Sequence, residues 1–408
     1  MATGLEKSYL RGTHRLIDPA ETVARALPMM RTAGITRIAD VTGLDSIGIP
    51  VVMVCRPNSR SVSVAQGKGL DLDAARASGL MESLEQWHAE HIVRPLVFAS
   101  AAELTPGHRL VEIDGLPRLS IGSFHGHRKL LWIEGEDVVD GGSRWVPLEV
   151  VHTDYTLPLP PGSGCFLTTS TGLASGNDRM EAVLHGLYEA VERDAVALWR
   201  AAGPGRRRQT RLELATVDDP ACRDLLARFD RAGIAVGVWD ASSDIGLPVF
   251  VAEIVDCDPH LCRTLHASSG QGCHRSRAIA LSRALTEAAQ SRLTTISGAR
   301  DDIDRASYER FRASHQIASA LAEITQVSGA LRSFAAAADG FSERLDDDLA
   351  AVLAALRGAG LHQAVIVDLT RPELGLPVVR VIVPGLESMW DAPGYAPGPR
   401  AQAEARAS

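Results

Sequence analysis

Three strings in this chain spell nearly the same joint between two β-rich runs, and that repetition is the tightest constraint on its fold. ITRIADVTG leads into IPVVMVC, IAVGVWDAS into LPVFVAEIV, and HQAVIVDLT into LPVVRVIVP. The joints read Asp40-Val-Thr to Gly48-Ile-Pro-Val, Asp240-Ala-Ser to Gly246-Leu-Pro-Val, and Asp368-Leu-Thr to Gly375-Leu-Pro-Val. Val- and Ile-rich runs bounded by Asp, Gly and Pro read as strand, polar connection, strand. Hairpin-like units therefore recur, and turn chemistry alone accounts for the shared letters without a catalytic role. Helical patterns fall between them at about 71–91, 177–200, 219–232 and 275–296, with a long Ala-, Leu-, Arg- and Asp-rich region near 302–357. This interleaving excludes an all-α or all-β chain and favours a mixed α/β (α+β) architecture. The stretch 157–165 and the run Gly203-Pro204-Gly205-Arg206-Arg207-Arg208 read as internal loops, the Arg triplet as a solvated or substrate-steering one.

Three of the helical segments share an acidic grammar. Glu82 and Glu85, Glu189 and Glu192, and Glu287 and Gln290 each stand three apart on an otherwise apolar ridge. Residues at that spacing share a helical face, so each segment offers a pair of oxygen ligands. Ser78 precedes Glu82 by one turn, and Asn177, Glu181, Glu189 and Glu192 form one nearly straight stripe ending at Arg193. Gathered carboxylates repel one another unless cations separate them. Hard oxygen ligands without thiolates suit magnesium, which shares its shell with waters and phosphates; a nucleoside triphosphate is the natural guest. The plainer alternative is that these are solvated faces of amphipathic helices. Against it stand the flanking residues Leu80, Met81, Leu84 and Trp87, and Leu187, Tyr188 and Val191, which bracket the acids with core material.

The runs SVAQGKGLDLDAARASGLMESLEQWHAE, GLASGNDRMEAVLHGLYEAVERDA and ALTEAAQSRL closely resemble the YcaO family of ATP-dependent enzymes that modify peptide backbones. The similarity spans the region from about Arg15 to Arg400, with the motifs in matching order and spacing. It implies a YcaO-like fold of hairpin units and long helices, with an ATP site that lacks a Walker loop. By that resemblance Glu82, Glu85, Glu181, Glu189 and Glu192 hold magnesium, and Ser78, Asn177 and Arg193 touch the nucleotide. Arg292, Arg15 and Thr22 are further candidate nucleotide contacts. Two departures bear on nucleotide grip: Gln86 stands where many members have Arg, and Ala174 where Gln is frequent. The expected organisation is an N-terminal segment at 1–60 integral to the fold, a YcaO domain at 61–400 and a tail at 401–408. No residue is singled out as the catalytic acid or base.

Other readings are weaker. No Gly-x-x-x-x-Gly-Lys-Ser/Thr loop exists, and Gly67-Lys68-Gly69 reads as a tight turn before a helix. A net charge of −8 argues against non-specific nucleic-acid binding. No 18-residue apolar run and no signal-like start appear, so neither a membrane span nor export is expected, and cytoplasmic residence follows. Cysteines 55, 165, 222, 257, 262 and 273 then read as reduced thiols. The cluster Cys257, His260, Cys262, His266, Cys273 and His274 invites zinc, yet its spacings fit none of the common finger patterns. Glu85 and His88 give one Glu-x-x-His, but a di-iron site needs a second copy, and Ala195 stands where its His belongs. His88 is expected at the helix surface or capping a core contact.

The resemblance also implies the reaction. A nucleophile adds to a peptide carbonyl and ATP phosphorylates the amide oxygen, so that phosphate leaves in place of hydroxide. External sulfide yields a thioamide; a neighbouring Cys, Ser or Thr yields an azoline. The ending GYAPGPRAQAEARAS lacks the Pro-x-Pro-x-Pro tail of many azoline-forming members. With VVRVIVPGLESMW and Tyr395, it resembles members that act with a TfuA-type partner in thioamidation. A peptide or protein substrate, such a partner and a homodimer are the expected associations. A cyclodehydratase, and a non-catalytic ATP-binding scaffold subunit, are the alternatives.

Overall fold

A computed structural model describes residues 5–258, 265–311, 314–326 and 329–407. In chain order, α1 (Pro19–Ala26) and α2 (Met30–Ala33) precede strands β1 (Arg37–Asp40), β2 (Val51–Cys55) and β3 (Val64–Lys68), which run into α3 (Leu72–Glu90). Next come β4 (Leu96–Ser100), α4 (Ala101–Leu104), β5 (Lys129–Asp137), β6 (Gly142–Pro147) and β7 (Leu173–Ser175), leading to α5 (Arg179–Ala201) and α6 (Gly203–Gln209). Then α7 (Pro220–Arg231), β8 (Ile234–Asp240), β9 (Val249–Asp256) and β10 (Ser268–Cys273) lead into α8 (Arg277–Ser297). The rest holds α9 (Arg305–Phe311), α10 (Ser314–Thr325), α11 (Leu345–Gly358), β11 (Val365–Asp368), β12 (Val378–Ile382) and α12 (Pro399–Ala407). The mixed α/β architecture expected from the sequence is the one observed. Among the described residues no helix is long and apolar enough to cross a membrane.

The three joints behave alike at atomic detail. In each, the Asp side chain accepts a hydrogen bond from the backbone two residues on: Asp40 from Thr42 at 3.0 Å, Asp240 from Ser242 at 3.1 Å, Asp368 from Thr370 at 2.9 Å. The hydroxyl of that second residue then accepts from the first N–H of the returning strand, Val51, Val249 or Val378, at 3.1, 3.1 and 3.2 Å. Gly48, Gly246 and Gly375 turn the chain back with φ of 71, 78 and 65°, a region that strains any side chain. The recurrent letters are thus one hydrogen-bonded device, used three times to make the antiparallel pairs β1–β2, β8–β9 and β11–β12.

Each pair gains a third antiparallel strand that leads into a helix. β3 joins β2 and runs into α3; β10 joins β9 and runs into α8. In the third unit β7 joins β12 and runs into α5, but β7 and α5 precede their hairpin in the chain, so this unit is permuted. Its sheet is also widened, in the order β4-β5-β11-β12-β7 with β6 on the other side of β5. Strand and helix lie very close: a Cβ on Gly67 would sit 1.9 Å from the Ala75 carbonyl oxygen, and one on Gly272 2.0 Å from that of Ala280. Packing under a helix, more than a turn, therefore explains the glycine at 67.

Every helix is also covered by the next unit. Val51 and Met53 of β2 pack with Leu293 of α8. Val249 and Val251 of β9 share a core with Val191 and Val196 of α5, and Val378 and Ile382 of β12 share one with Leu80 and Leu84 of α3. The three helices are sandwiched in a closed ring.

Several expectations need revision. The Gly203–Arg208 run is the helix α6, because Pro204 sits in its first turn, where no backbone N–H is needed. The 302–357 region is broken into α9, α10 and α11. Residues 401–407 complete α12, whose Ala401 is buried. His88 is fully buried, its Nδ1 2.7 Å from the Leu84 carbonyl oxygen.

Candidate active site

The ring encloses a cavity of about 750 Å³. Residues from all three helices reach it at equivalent positions. Counting from the N-cap residues Asp71, Asp178 and Ser276, the eleventh residue is Glu82, Glu189 and Glu287, and the fourteenth is Glu85, Glu192 and Gln290. The seventh is Ser78, His185 and Arg283, and all nine of these line the cavity.

Residues at the fourteenth position clasp the neighbouring unit. Glu85 Oε1 accepts from the Ser175 N–H at 2.8 Å and its hydroxyl at 2.6 Å, on β7. Glu192 Oε2 accepts from the Cys273 N–H at 2.9 Å, on β10. Gln290 Nε2 donates to the Gln66 carbonyl at 3.2 Å, on β3. A second network holds the cavity edge: Glu181 accepts from the Leu16 N–H at 2.9 Å and from Asn177 Nδ2 at 3.1 Å, and Asn177 Nδ2 reaches Thr22 Oγ1 at 3.1 Å. Arg15 lies 3.7 Å from Glu181.

Charge is divided across the cavity. On one side Glu82 and Glu85 are held half-buried; burial foremost, and the nearby carboxylates, push their carboxyls up to about 7 and about 8. Burial likewise raises Glu192, against the pull of Arg193. On the other side Lys68 pairs with Glu287 at 2.6 Å. Burial works against ionisation of Glu287, but Lys68 and Arg193 outweigh it and hold the carboxyl below its ordinary range. Arg193 stands 3.6 Å from both Glu189 and Glu192 and donates to Gln271 at 3.0 Å. Burial keeps His185 neutral, well below the ordinary histidine value.

Of the eleven expected nucleotide contacts, ten line this one cavity: Arg15, Thr22, Ser78, Glu82, Glu85, Asn177, Glu181, Glu189, Glu192 and Arg193. Arg292 does not. Its buried guanidinium donates two hydrogen bonds to Asp256 at 3.0 Å and a third to Asp45 at 2.9 Å, so the site as built leaves it a structural role. Lys68, read from the sequence as part of a turn, ends β3 and reaches the cavity. His185, Arg283 and Arg300 also line it and went unread; aligning the three helices on their N-caps finds the first two. Gln86 faces the cavity, while Ala174 is buried in β7.

The donor set fits magnesium held jointly with phosphate. Among the described residues no three carboxylate, imidazole or thiolate groups converge to complete a metal shell unaided. Glu85 and Glu192 each anchor one oxygen on a backbone N–H of the next unit, which fixes the carboxylate plane; the second oxygen of Glu85 is left for a ligand, and that of Glu192 lies 3.6 Å from Arg193. This is the incomplete oxygen shell that magnesium fills with phosphate and water. The zinc reading fares worse: His260 and Cys262 lie outside the described residues, Cys257 is exposed, and Cys273 is fully buried.

After β12 the chain folds over α5. Asp194 accepts from the Glu387 N–H at 2.9 Å and pairs with Arg400 at 3.0 Å, and Glu387 accepts from the Tyr395 hydroxyl at 2.7 Å. This places Met389 and Asp391 in the cavity wall.

Residues 66–387 match the family model described as YcaO cyclodehydratase, ATP- and Mg2+-binding. A protein of Rhizobium leguminosarum bv. trifolii, described as an uncharacterized protein in the tfuA 3′ region, is 38% identical over 91% of this chain and 88% of its own length. An uncharacterized Mycobacterium tuberculosis protein is 37% identical over 93% of this chain and 84% of its own. The structure of YcaO from Methanopyrus kandleri bound with AMPPCP and Mg2+ superposes with a TM-score of 0.73 at 22% identity, covering 97% of this chain and 98% of that one. A heterocyclase in complex with substrate and cofactor gives 0.76 at 22% identity, over 96% of this chain and 56% of that one.

Proposed function

The chain belongs to the YcaO family of ATP- and Mg2+-binding, cyclodehydratase-like enzymes, and from that premise we propose that it activates a peptide backbone amide for conversion to a thioamide. Sulfide adds to the carbonyl carbon, and the oxygen takes the γ-phosphoryl group of ATP. The C–O bond then breaks, so sulfur replaces oxygen while ADP and phosphate leave. The observation that carries the reading is the divided cavity. Glu82, Glu85, Glu181, Glu189 and Glu192 would hold magnesium, and Ser78, Asn177, Arg15, Thr22 and Arg193 would orient the nucleotide. Magnesium, when bound, supplies charge neutralisation to the phosphate oxygens. Arg193 is fixed by its two glutamates and Gln271, so it presents a preorganised cation to charge moving onto a phosphate oxygen.

The thioamide branch is supported by the rhizobial relative's tfuA-region description. In this chain Tyr395 and Arg400 are tied to Glu387 and Asp194. A TfuA-type protein is the proposed partner. The family description favours a second reading, azoline formation by a neighbouring side chain. Mass spectrometry of a candidate peptide incubated with ATP, magnesium, sulfide and the partner separates the two. Exchange of oxygen for sulfur supports the first, loss of one water the second, and an unaltered peptide with no ATP turnover sinks both.

A further inference from the structure

We propose that Arg200 at the end of α5, together with α6 and the partly exposed Trp390, forms a docking ledge for an acidic polypeptide segment of the substrate. The proposal rests on the reading of the cavity as a site of peptide activation.

Glu181, His185, Glu189 and Arg193 line the cavity at four-residue steps along α5. Arg200, seven residues past Arg193, lies on the same face about 10 Å further along the axis. Its guanidinium sits 5.0 Å from the ring centres of both Trp199 and Trp390. Trp390 is 40% exposed, and its chain neighbours Met389 and Asp391 are in the cavity wall. The stacking continues away from the mouth: Arg207 of α6 lies 5.0 Å from Trp199 and 4.8 Å from Trp239, and Arg211 4.6 Å from Trp239. Glu253 of β9 holds Arg200 at 3.2 Å and Arg207 at 2.9 Å. Its partner across the strands is Ser269, another cavity residue. The ladder of guanidinium and indole groups therefore begins at the mouth.

A purely structural ladder would balance its charge. This one does not: among the described residues Glu253 and Glu323 are the ion-pair partners of Arg200, Arg206, Arg207, Arg208 and Arg211 taken together, and Arg211 donates to the carbonyls of Val236 and Ile324. Arg206 and Arg208 make no ion pair among the described residues, and Arg208 is exposed. A surplus of cations on a chain whose net charge is −8 selects an acidic guest. Trp199 and Trp239 are buried and hold the guanidinium groups in place from below, while the exposed indole of Trp390 beside Arg200 suits a polypeptide that offers carboxylates and apolar stems together. A segment lying there would reach the cavity past Trp390, whose neighbours Met389 and Asp391 form part of its wall.

The test uses the purified full chain and a fluorescein-labelled peptide of alternating Glu and Gly, read by anisotropy at low and high salt. The peptide should bind, bind less well in salt, and lose about tenfold in affinity with Arg206→Glu/Arg208→Glu, as expected for charges that guide a polar interface. Trp390→Ala should give a smaller loss. Neither variant should alter binding of a magnesium–ATP analogue, which reports the cavity separately and verifies folding. No binding by the parent, or equal binding by the charge-reversed variant, overturns the proposal. So does tighter binding of a labelled oligothymidylate, or a parent dimer that the same charge reversal dissociates.

Discussion

Helices α3 and α8 occupy equivalent places in the ring yet carry their acids differently. On α3, Glu82 and Glu85 stand together half-buried, and their proton affinities rise accordingly. On α8 the acid at the same place as Glu82 is Glu287, which Lys68 neutralises at 2.6 Å, and the second acid is replaced by Gln290. One framework thus presents two acids with no ion pair among the described residues on one wall and a single acid paired with Lys68 on another. The difference teaches where a cation is needed. Burying like charges without partners costs several kcal/mol, a cost that α8 avoids and α3 retains for a ligand to offset.

The sharpest way to break this comparison is to remove one acid from each helix. Glu82→Gln should weaken magnesium-dependent nucleotide binding by about 100-fold, the upper range for disrupted metal sites, with unchanged or higher thermal stability. Glu287→Gln should shift it only a few-fold. Calorimetric titration of an ATP analogue with magnesium and with EDTA measures both; equal losses would end the distinction.

Acidity offers a second test. The carboxyls of Glu82 and Glu85 bind protons more tightly folded than unfolded, from an ordinary 4.5 up to about 7 and about 8. Their contribution to stability is therefore full below about pH 4.5 and is lost as pH rises through 7 and 8. Without divalent cations, the melting temperature should fall between pH 6 and 8.5; with magnesium and an ATP analogue the fall should be smaller. A melting temperature that climbs over that range would contradict the assignment.

Gln290→Glu would give α8 the acidic pair it lacks. A carboxylate would then face the Gln66 carbonyl in place of a donor, and a lost buried bond costs about 1–3 kcal/mol. Denaturant unfolding should show that loss, and a more stable variant would refute the clasp. Smallest is Cys273→Ser, expected to leave nucleotide affinity unchanged, because Glu192 is bonded to the backbone N–H there and not to the thiol. A large loss by the same titration would reopen a role for the sulfur.

The sequence made local chemistry legible. Hairpin joints declared themselves because Asp, Thr or Ser, Gly and Pro each do a fixed job within a dozen residues. The helices at 71–91 and 177–200 emerged as Leu72–Glu90 and Arg179–Ala201 because their apolar periodicity is strong. The acidic residues were legible as pairs and, through the family resemblance, as one site. What escaped was whatever depends on register between elements, as with Lys68 opposite Glu287; His185 and Arg283 were passed over because they break the acidic pattern, although they stand at the helix position of Ser78. Arg292 misled because it stands two residues past Gln290 in α8, about 200° around the helix and so turned away from the cavity. In α6, Gly203-Pro204-Gly205 looked like a breaker, although proline in a first helical turn is a starter.

The permuted third unit has a consequence for how the protein comes into being. A ribosome delivers β7 and α5 long before Val378–Ile382, the strand that pairs with β7 and covers α3. Until that strand arrives, α3 and α5 lack one of their two coverings and the acidic walls cannot face each other. Closing so long a chain segment is slow relative to local hairpins. A nascent chain stopped short of residue 378 should contain its first hairpin unit yet hold no nucleotide, so competence to bind is acquired late in synthesis and in a single closing step.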